Sequence, residues 1–354
     1  MLNNILENAL VENLVKIFPR SPLQQNSLQE SDAELLHLPG TDSTIALTTD
    51  TIVEEIEAGL YTDPHLIGWM TVMVNASDLA AVGAQPIGIL LNETLPPDVG
   101  EEFIAELQNG IHDACSICGM YVLGGDTNFS SHLQMSGCAV GLIPDSAAMT
   151  RRGCGPGDYL FSSGPLGLGN AYALVHLMNN SELKQIPIPY YPRARLSEGQ
   201  LLRRIASCCM DTSDGTLATL DQLMRLNQVG FVLQTDLSEA LHPSARLLCN
   251  AAGIPEWMML AGPHGEFELL FTVPQERVED LESRAGQYSW QPLKIGRVVE
   301  DCGVWIYQNG ERTALDTGRI RNLFVEVKGN VNQYVKELFR LDKEWKNKQE
   351  ITHE

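Results

Sequence analysis

Positive charge is what this sequence has least of. Lysine and arginine number 24 against 45 aspartates and glutamates, a formal net charge of −21 over 354 residues. Such a chain lacks the basic surface that neutralises a phosphate backbone, which argues against non-specific nucleic-acid binding and against an anionic membrane surface. It has no stretch of about 20 apolar residues to span a bilayer. Its N-terminus, MLNNILENALVENLVKIF, is amphipathic and acidic rather than basic and then apolar, so no signal peptide is expected. Two nucleotide-binding signatures are missing as well. There is no G-x-x-x-x-G-K-[ST], and GPLGLG at Gly164 to Gly169 does not fit G-x-G-x-x-G, so a nucleotide must be held by other means. The eight cysteines include one C-x-x-C, Cys115 and Cys118, with no second pair to complete a zinc site. They read as reduced thiols of a cytoplasmic protein, with Cys115 and Cys118 on one helix face.

Acid is abundant instead, and an acidic protein can bind a polyphosphate when divalent cations lie between the two sets of negative charge. The length and a hydrophobic content of 44% suit about two globular domains of roughly 150 residues. Periodicity predicts helices over 1–18, Leu66 to Ala84, Glu101 to Cys118, Asn170 to Met178, Leu201 to Ile205 and from Asn332 through the charged tail. Gly119 is placed to close the third of these. Strand-like runs lie at Ser43 to Leu47, Ile87 to Leu91, Met120 to Leu123, Leu133 to Leu142, Tyr159 to Ser162, Phe231 to Leu233 and Glu268 to Val273. Prolines hold IPIPYYPRAR, Ile186 to Arg195, extended. Strands and helices alternate in both halves, so the class is α/β in the mixed α+β sense, with no strict βαβ repeat to force a parallel sheet. A break from Pro144 to Pro156 divides the chain into domains at 1–146 and 147–330, followed by a charged helical tail at 331–354.

Several aspartates follow a strand or sit at a turn: Asp50 after IALTT, Asp126 after MYVLGG, and Asp211 and Asp214 in MDTSDGT. Asp32, in QESDAELL, precedes the first strand. Asp, Ser and Thr cap helix N-termini, so MDTSDGT alone reads equally as an acidic cap or as half of a metal site. Asp78 fits the bland reading least, because its neighbours in NASDLAAVGA look buried and a buried, unpartnered carboxylate is costly. Carboxylates that converge on one site repel one another unless cations share them. Mg²⁺ prefers hard oxygen ligands and keeps phosphate oxygens in its shell. Gly124 and Gly125 would let backbone N–H groups approach those phosphates closely.

In this order the segments resemble the motif series of the thiamine-monophosphate kinases. These belong to the wider family of aminoimidazole ribonucleotide synthetase, selenophosphate synthetase and the hydrogenase maturation factor HypE. TTDTIVEE is similar to TTD-x-x-V-E, VNASDLAAVGAQP to N-x-S-D-x-A-A-x-G-A-x-P, and LGGDT to the GGDT loop. RRGCGPGDYLFSSGPLG is similar to R-x-G-x-x-P-G-D with its glycine turn, MDTSDG to D-x-S-D-G, and HGEFELLFTVP to G-[ED]-D-Y-E-L-L-F-T. The likeness runs from about Asp32 to Val273. It implies a two-domain architecture like that of aminoimidazole ribonucleotide synthetase, with N-terminal domains that pair into a barrel across a homodimer and ATP between the domains. It implies Mg²⁺ at Asp32, Thr48, Thr49, Asp50, Asp78, Asp126, Asp211 and Asp214. ATP contacts would come from Gly125, Asp126, Arg151 and Ser213, and substrate contacts from Glu57 and Glu266. The implied chemistry is in-line phosphoryl transfer to a phosphate oxygen that is already ionised, so no general base is needed. No His-based dyad is evident, which agrees.

Departures from the kinase pattern gather on the acceptor side. Glu57 stands where the kinases carry a histidine. Gly265 stands at the first acid of the G-[ED]-D-Y-E-L-L segment, with Glu266 after it and Pro263 and His264 in place of glycines. TGRIRNLF brings Arg319 and Arg321 where the kinases have an aromatic in G-[YW]-D-H-F, and ESDAE lacks the usual glycine-rich start. Two arginines would suit an anionic substrate, although such residues are more often solvated. Three functions compete: a thiamine-monophosphate kinase with an atypical pocket, a sister enzyme using Mg-ATP on another small anionic acceptor, and a non-catalytic nucleotide-binding dimer. The intact acidic set speaks against the last.

Overall fold

The computed structural model describes residues 5–178, 180–233, 236–308 and 311–352. Helix α1 (Leu6–Val15) leads into a first sheet of β1 (Glu34–His37), β2 (Thr44–Thr51), β3 (Gln85–Leu95), β4 (Tyr121–Phe129) and β5 (Gln134–Ile143). Its order is β1-β2-β5-β3-β4, and only the β3–β4 pair is parallel. Between β2 and β4 come α2 (Val53–Glu57), α3 (Pro64–Ala81) and α4 (Glu101–Cys118).

The second sheet has β6 (Tyr159–Ser162), β7 (Cys208–Asp211), β8 (Gly230–Leu233), β9 (Leu269–Val273), β10 (Leu293–Val299), β11 (Gly303–Gln308) and β12 (Glu311–Leu315). They lie in the order β12-β11-β8-β10-β6-β9-β7, with β8–β11 the parallel pair. Helices α5 (Leu168–Leu177), α6 (Leu196–Leu202), α7 (Thr216–Asn227), α8 (Leu237–Ala240), α9 (Pro243–Ala252) and α10 (Val278–Gln287) alternate with these strands. Two more, α11 (Thr317–Glu326) and α12 (Val331–Thr352), follow β12. Both sheets are therefore mixed and dominated by antiparallel pairs, in keeping with the absent βαβ repeat. Of the tail expected at 331–354, the last two residues lie outside the described residues, as do the first four of the helix expected over 1–18.

α3 is the spine of the molecule. Fifteen of its 18 residues are buried, as expected of a helix that is apolar on nearly every face. Pro64 opens it at a position where no N–H is needed, and the Asp63 carboxylate accepts from His65 N (3.1 Å). It packs on β2, β3 and β5, on α4, and across the junction on α6 and β7. The α3–α4 crossing depends on two glycines. A Cβ on Gly68 would lie 2.0 Å from Leu107 O, and one on Gly110 2.0 Å from His65 O. Small residues here let the two backbones approach.

Three expectations needed revision. The helix expected over Leu66 to Ala84 ends at Ala81, with Pro86 already inside β3, and LGGDT runs within β4 rather than in a loop after it. The helix expected at Leu201 to Ile205 is α6, which has ended by Leu202. Strands β1, β7, β10, β11 and β12 were not foreseen. β7, Cys-Cys-Met-Asp, is buried at all four positions, so it shows no period-two alternation to betray it. Among the described residues no helix is long and apolar enough to cross a membrane.

Candidate active site

Three chain segments bring acid to one point. Asp32 precedes β1, Asp78 lies in the last turn of α3, and Asp211 ends β7. Each offers a carboxylate oxygen within 4.8 Å of the others. Asp211, from the second sheet, is buried, and its Oδ2 accepts from Ser77 Oγ of α3 (2.6 Å), which joins the two halves at the site. Its Oδ1 accepts from Ser213 Oγ (3.0 Å) and Ser213 N (3.4 Å). Thr48 Oγ1 on β2 donates to Asp78 Oδ2. Asp50 is held beside them because its N–H donates to Asn75 Oδ1 (3.0 Å). Arg151, in the segment between the sheets, pairs with Asp32 Oδ1 (2.9 Å), and its own N–H donates to Glu30 O (2.8 Å).

The charges are poorly compensated. Burial, then the charges of Asp50, Asp211 and Asp32, hold the Asp78 carboxyl well above its ordinary range against the Thr48 bond. Asp211 is pushed up to about 7 by burial and by Asp32, with Ser77, Ser213 and Arg151 pulling the other way. Asp50 rises to about 6 through burial, partly offset by its bond to Asp78, and through Asp214, Asp32 and Glu55. Asp214 also reaches about 6 from burial and Glu7, moderated by Arg321 and Arg151. For Arg151 burial acts downward, but Asp32 outweighs it and the guanidinium is held above its ordinary value. Asp32 Oδ2 and Arg151 Nε are buried without any hydrogen-bond partner. Three converging carboxylates with an orphaned oxygen are a hard-oxygen donor set, and they fit a divalent cation such as Mg²⁺.

The remaining candidates fall into place unevenly. Thr49 spends its hydroxyl on Gly137 O (2.8 Å). Gly125 and Asp126 lie on β4, an exposed edge strand, where the Asp126 carboxylate accepts from Asn128 Nδ2 (2.7 Å); Asp126 is not one of the converging trio. Neither Asp211 nor Asp214 caps α7, whose N-cap is Gly215 and receives no side-chain bond, so the capping reading of MDTSDGT fails. Glu57, at the end of α2, is exposed. Glu266 is buried and occupied: its Oε2 accepts from Gly167 N (2.8 Å) and Gly169 N (3.4 Å) and its Oε1 from Thr212 Oγ1 (3.3 Å). A Cβ on Gly265 would sit 1.5 Å from Thr212 O, so this backbone path admits no acid there. Arg319 and Arg321 are engaged too. Arg319 pairs with Glu344 (3.1 Å), and Arg321 with the buried Asp221 (3.2 Å) and Gln222 Oε1 (3.0 Å). Cys115 and Cys118 are buried thiols on α4, raised by burial.

Sequence reasoning passed over Ser77, Asn75 and Glu55. Asn75 was legible, since Asn75 and Asp78 at i and i+3 share a helix face; Ser77 was not, because its partner Asp211 comes from the second sheet. Glu55 gave no signal beside Glu54 and Glu57.

Two sheets joined through α3 around such an acidic point define an AIR synthase related protein, and the family model for the N-terminal domain of that group matches residues 30–143. More narrowly, the chain belongs to the thiamine-monophosphate kinase family. It is 31% identical over 297 residues to the thiamine-monophosphate kinase of Escherichia coli O157:H7, covering 80% of this chain and 88% of that one. The Pyrococcus abyssi enzyme is 26% identical over 311 residues, with 86% and 96% covered. Among solved structures, AaThiL complexed with AMPPCP and TMP superposes with a TM-score of 0.71 at 25% identity, over 88% of this chain and 95% of that one. Escherichia coli HypE shares the fold at a TM-score of 0.66 and 20% identity, over 88% and 98%.

Proposed function

We propose that this protein transfers the γ-phosphoryl group of ATP to thiamine monophosphate, giving thiamine diphosphate and ADP, with Mg²⁺. The observation that carries this reading is the convergence of Asp32, Asp78 and Asp211 with an uncompensated oxygen. When bound there, Mg²⁺ would neutralise polyphosphate charge that the acidic site otherwise repels. Asp32, Asp78 and Asp211 would hold it, with Asp50, Asp214 and Thr48 beside them and Thr49 and Asp126 at the margin. Ser77 and Thr48 orient the Asp211 and Asp78 carboxylates through hydrogen bonds already made, and Asn75 anchors the backbone of Asp50. Arg151, Ser213, Gly125 and Asp126 are the groups we assign to ATP. The acceptor's phosphate oxygen attacks phosphorus, the bond to the β-phosphate oxygen breaks, and ADP leaves with the electron pair; the acceptor oxygen is anionic, so no side chain takes a proton.

We assign 1–146 to ATP and Mg²⁺ binding and dimerisation, 147–330 to a C-terminal α/β domain, and 331–354 to a charged tail. Confinement of the first sheet to 34–143 and the second to 159–315 supports that division. The homodimer would form a barrel through the first sheet. On its edge strand β4, Tyr121, Val122, Leu123 and Phe129 are all exposed, which supports that reading. Eight free thiols support a cytoplasmic location.

A second reading, phosphorylation of another small acceptor, is favoured by exposed Glu57, enclosed Glu266 and the engagement of Arg319 with Glu344. Incubating the purified protein with Mg-ATP and thiamine monophosphate, and resolving products by chromatography, decides between them. We expect thiamine diphosphate; its absence, with another acceptor phosphorylated, would establish the second reading. Asp78→Asn should lower turnover by about 100-fold or more and weaken Mg-dependent ATP binding. Unchanged Mg-ATP affinity in that variant would sink the shared-cation site.

A further inference from the structure

Asp32 is the one member of the acidic trio that lies outside a helix or strand. Its carboxylate is oriented by Arg151, which takes Oδ1 (2.9 Å) and leaves Oδ2 without a partner. Arg151 is in turn held at three further points. Its N–H donates to Glu30 O (2.8 Å), its Nη1 to Gln29 O (3.4 Å), and its carbonyl accepts from Asn227 Nδ2 of α7 (2.8 Å). Two of those three partners lie just before Asp32, so the path of the chain at 29–32 sets both members of the ion pair.

Gln29 turns that path. Its φ is 61°, a left-handed conformation that a residue with a Cβ adopts only at a cost. The half-buried side chain shows what holds it there. Its Oε1 accepts from Gln222 Nε2 (3.2 Å), and its Nε2 donates to Asn8 O (3.5 Å). Gln222 is buried on α7, and its Oε1 accepts from Asn8 Nδ2 of α1 and from Arg321 Nη1 of α11, both at 3.0 Å. α1 is further latched to α11, by Leu6 N on Asn322 Oδ1 (3.0 Å) and by Glu7 with Arg321 (3.5 Å). Helices from both ends of the chain thus meet on the Gln222 amide, and that amide grips the residue that turns the chain toward Asp32.

We infer that Gln29 and Gln222 are positioning residues for the cation site. Through Gln222, α7 fixes the left-handed turn at Gln29, and that turn sets Arg151 and Asp32 against Asp211. α7 also follows directly on MDTSDG, so one helix relates the acid at the end of β7 to the acid carried by a loop from the other half of the molecule. Neither glutamine touches the reacting atoms; each acts through Asp32 and Arg151. This rests on the reading that the trio binds Mg²⁺ with ATP.

The test compares the full-length wild type with Gln29→Gly and Gln222→Glu, singly and together, and with Gln228→Gly as a control. Gln29→Gly removes the side chain yet suits the left-handed backbone, so the turn itself is not disfavoured. Gln222→Glu keeps an acceptor for Asn8 and Arg321 but has no N–H to give Gln29. Gln228 is exposed at the end of α7 with the same left-handed backbone (φ 56°), and its side chain donates instead to Arg225 O (2.6 Å). Calorimetry with Mg²⁺ and the non-hydrolysable AMPPCP should give a Kd raised about 5- to 20-fold in each single variant. The double variant should bind no more weakly than the weaker single one, because both break the same link. Without nucleotide, the thermal midpoint of Gln29→Gly should stay within about 3 °C of the wild type, and Gln228→Gly should bind as the wild type does. In steady-state assays KM for Mg-ATP should rise with Kd, while kcat and the KM for thiamine monophosphate stay within about threefold, as when only nucleotide binding is affected. A Kd for Gln29→Gly within about twofold of wild type, losses that add in the double variant, or an equal loss in Gln228→Gly would overturn the inference. If the wild type binds Mg-AMPPCP but does not phosphorylate thiamine monophosphate, the proposed reaction fails while the Kd comparison still decides the role of Gln29. If the wild type binds no Mg-AMPPCP, both fall.

Discussion

Glu266 shows how much of a side chain's surroundings its motif leaves unstated. The sequence places it beside the acceptor, but the fold spends it on the N-terminal end of α5, where it receives Gly167 N, Gly169 N and the Thr212 hydroxyl. Burial and then Glu268 push its carboxyl from 4.5 up to about 8, against those three bonds. The folded state therefore keeps a proton that the unfolded chain releases. The stabilisation from this group is complete below the unfolded value of 4.5 and is lost as pH rises through about 8. Denaturant titrations at pH 6 and pH 9 should show Glu266→Gln losing less stability across that interval than the wild type. Equal losses would contradict a buried, protonated Glu266. Glu266→Ala leaves donors unsatisfied and should cost about 2–4 kcal/mol. Asp78 illustrates the opposite case, since its discomfort among apolar neighbours was visible in NASDLAAVGA and the fold puts it with Asp32 and Asp211.

Helices α3 and α4 decide how accurately the acids are set. α3 carries Asn75, Ser77 and Asp78 and touches β7, so its position governs the distance from Asp78 to Asp211. That position depends on the contact at Gly68 and Gly110. In Gly110→Ala the added Cβ would press on His65 O from 2.0 Å. The helices must then separate, at a cost of about 1–3 kcal/mol. Thermal unfolding should register that loss, and Mg-dependent ATP binding should weaken with it. A variant as stable as the wild type would mean that the crossing is not under the constraint described here. The helical periods of α3 and α4 were readable because both exceed four turns. β7 was not, because a strand four residues long and buried throughout has the same apolar appearance as a helix segment.

At the scale of the whole molecule, the exposed edge strand β4 is the feature a lone chain explains least. Tyr121 and Phe129 are more than 70% exposed, and a long apolar edge invites strand pairing or a partner's cover. Sedimentation should find a dimer, and Leu123→Lys should shift it toward monomer; a monomeric wild type would refute the paired barrel. The sequence by itself determined the mixed class, the long helices, the order of the acidic motifs and the absence of a phosphate-binding glycine loop, because local periodicity and motif spacing are properties of neighbouring residues. Only the tertiary structure decided which acids meet. Asp32 and Asp211 are 179 positions apart, and their approach depends on how α3 bridges two sheets. It also decided that Glu55 rather than Glu57 faces inward, that Gly265 has no room for a side chain, and that Arg321 holds α11 to α7. Each is a matter of what packs against a residue from a distant part of the chain, and charge and spacing along the sequence carry no record of that.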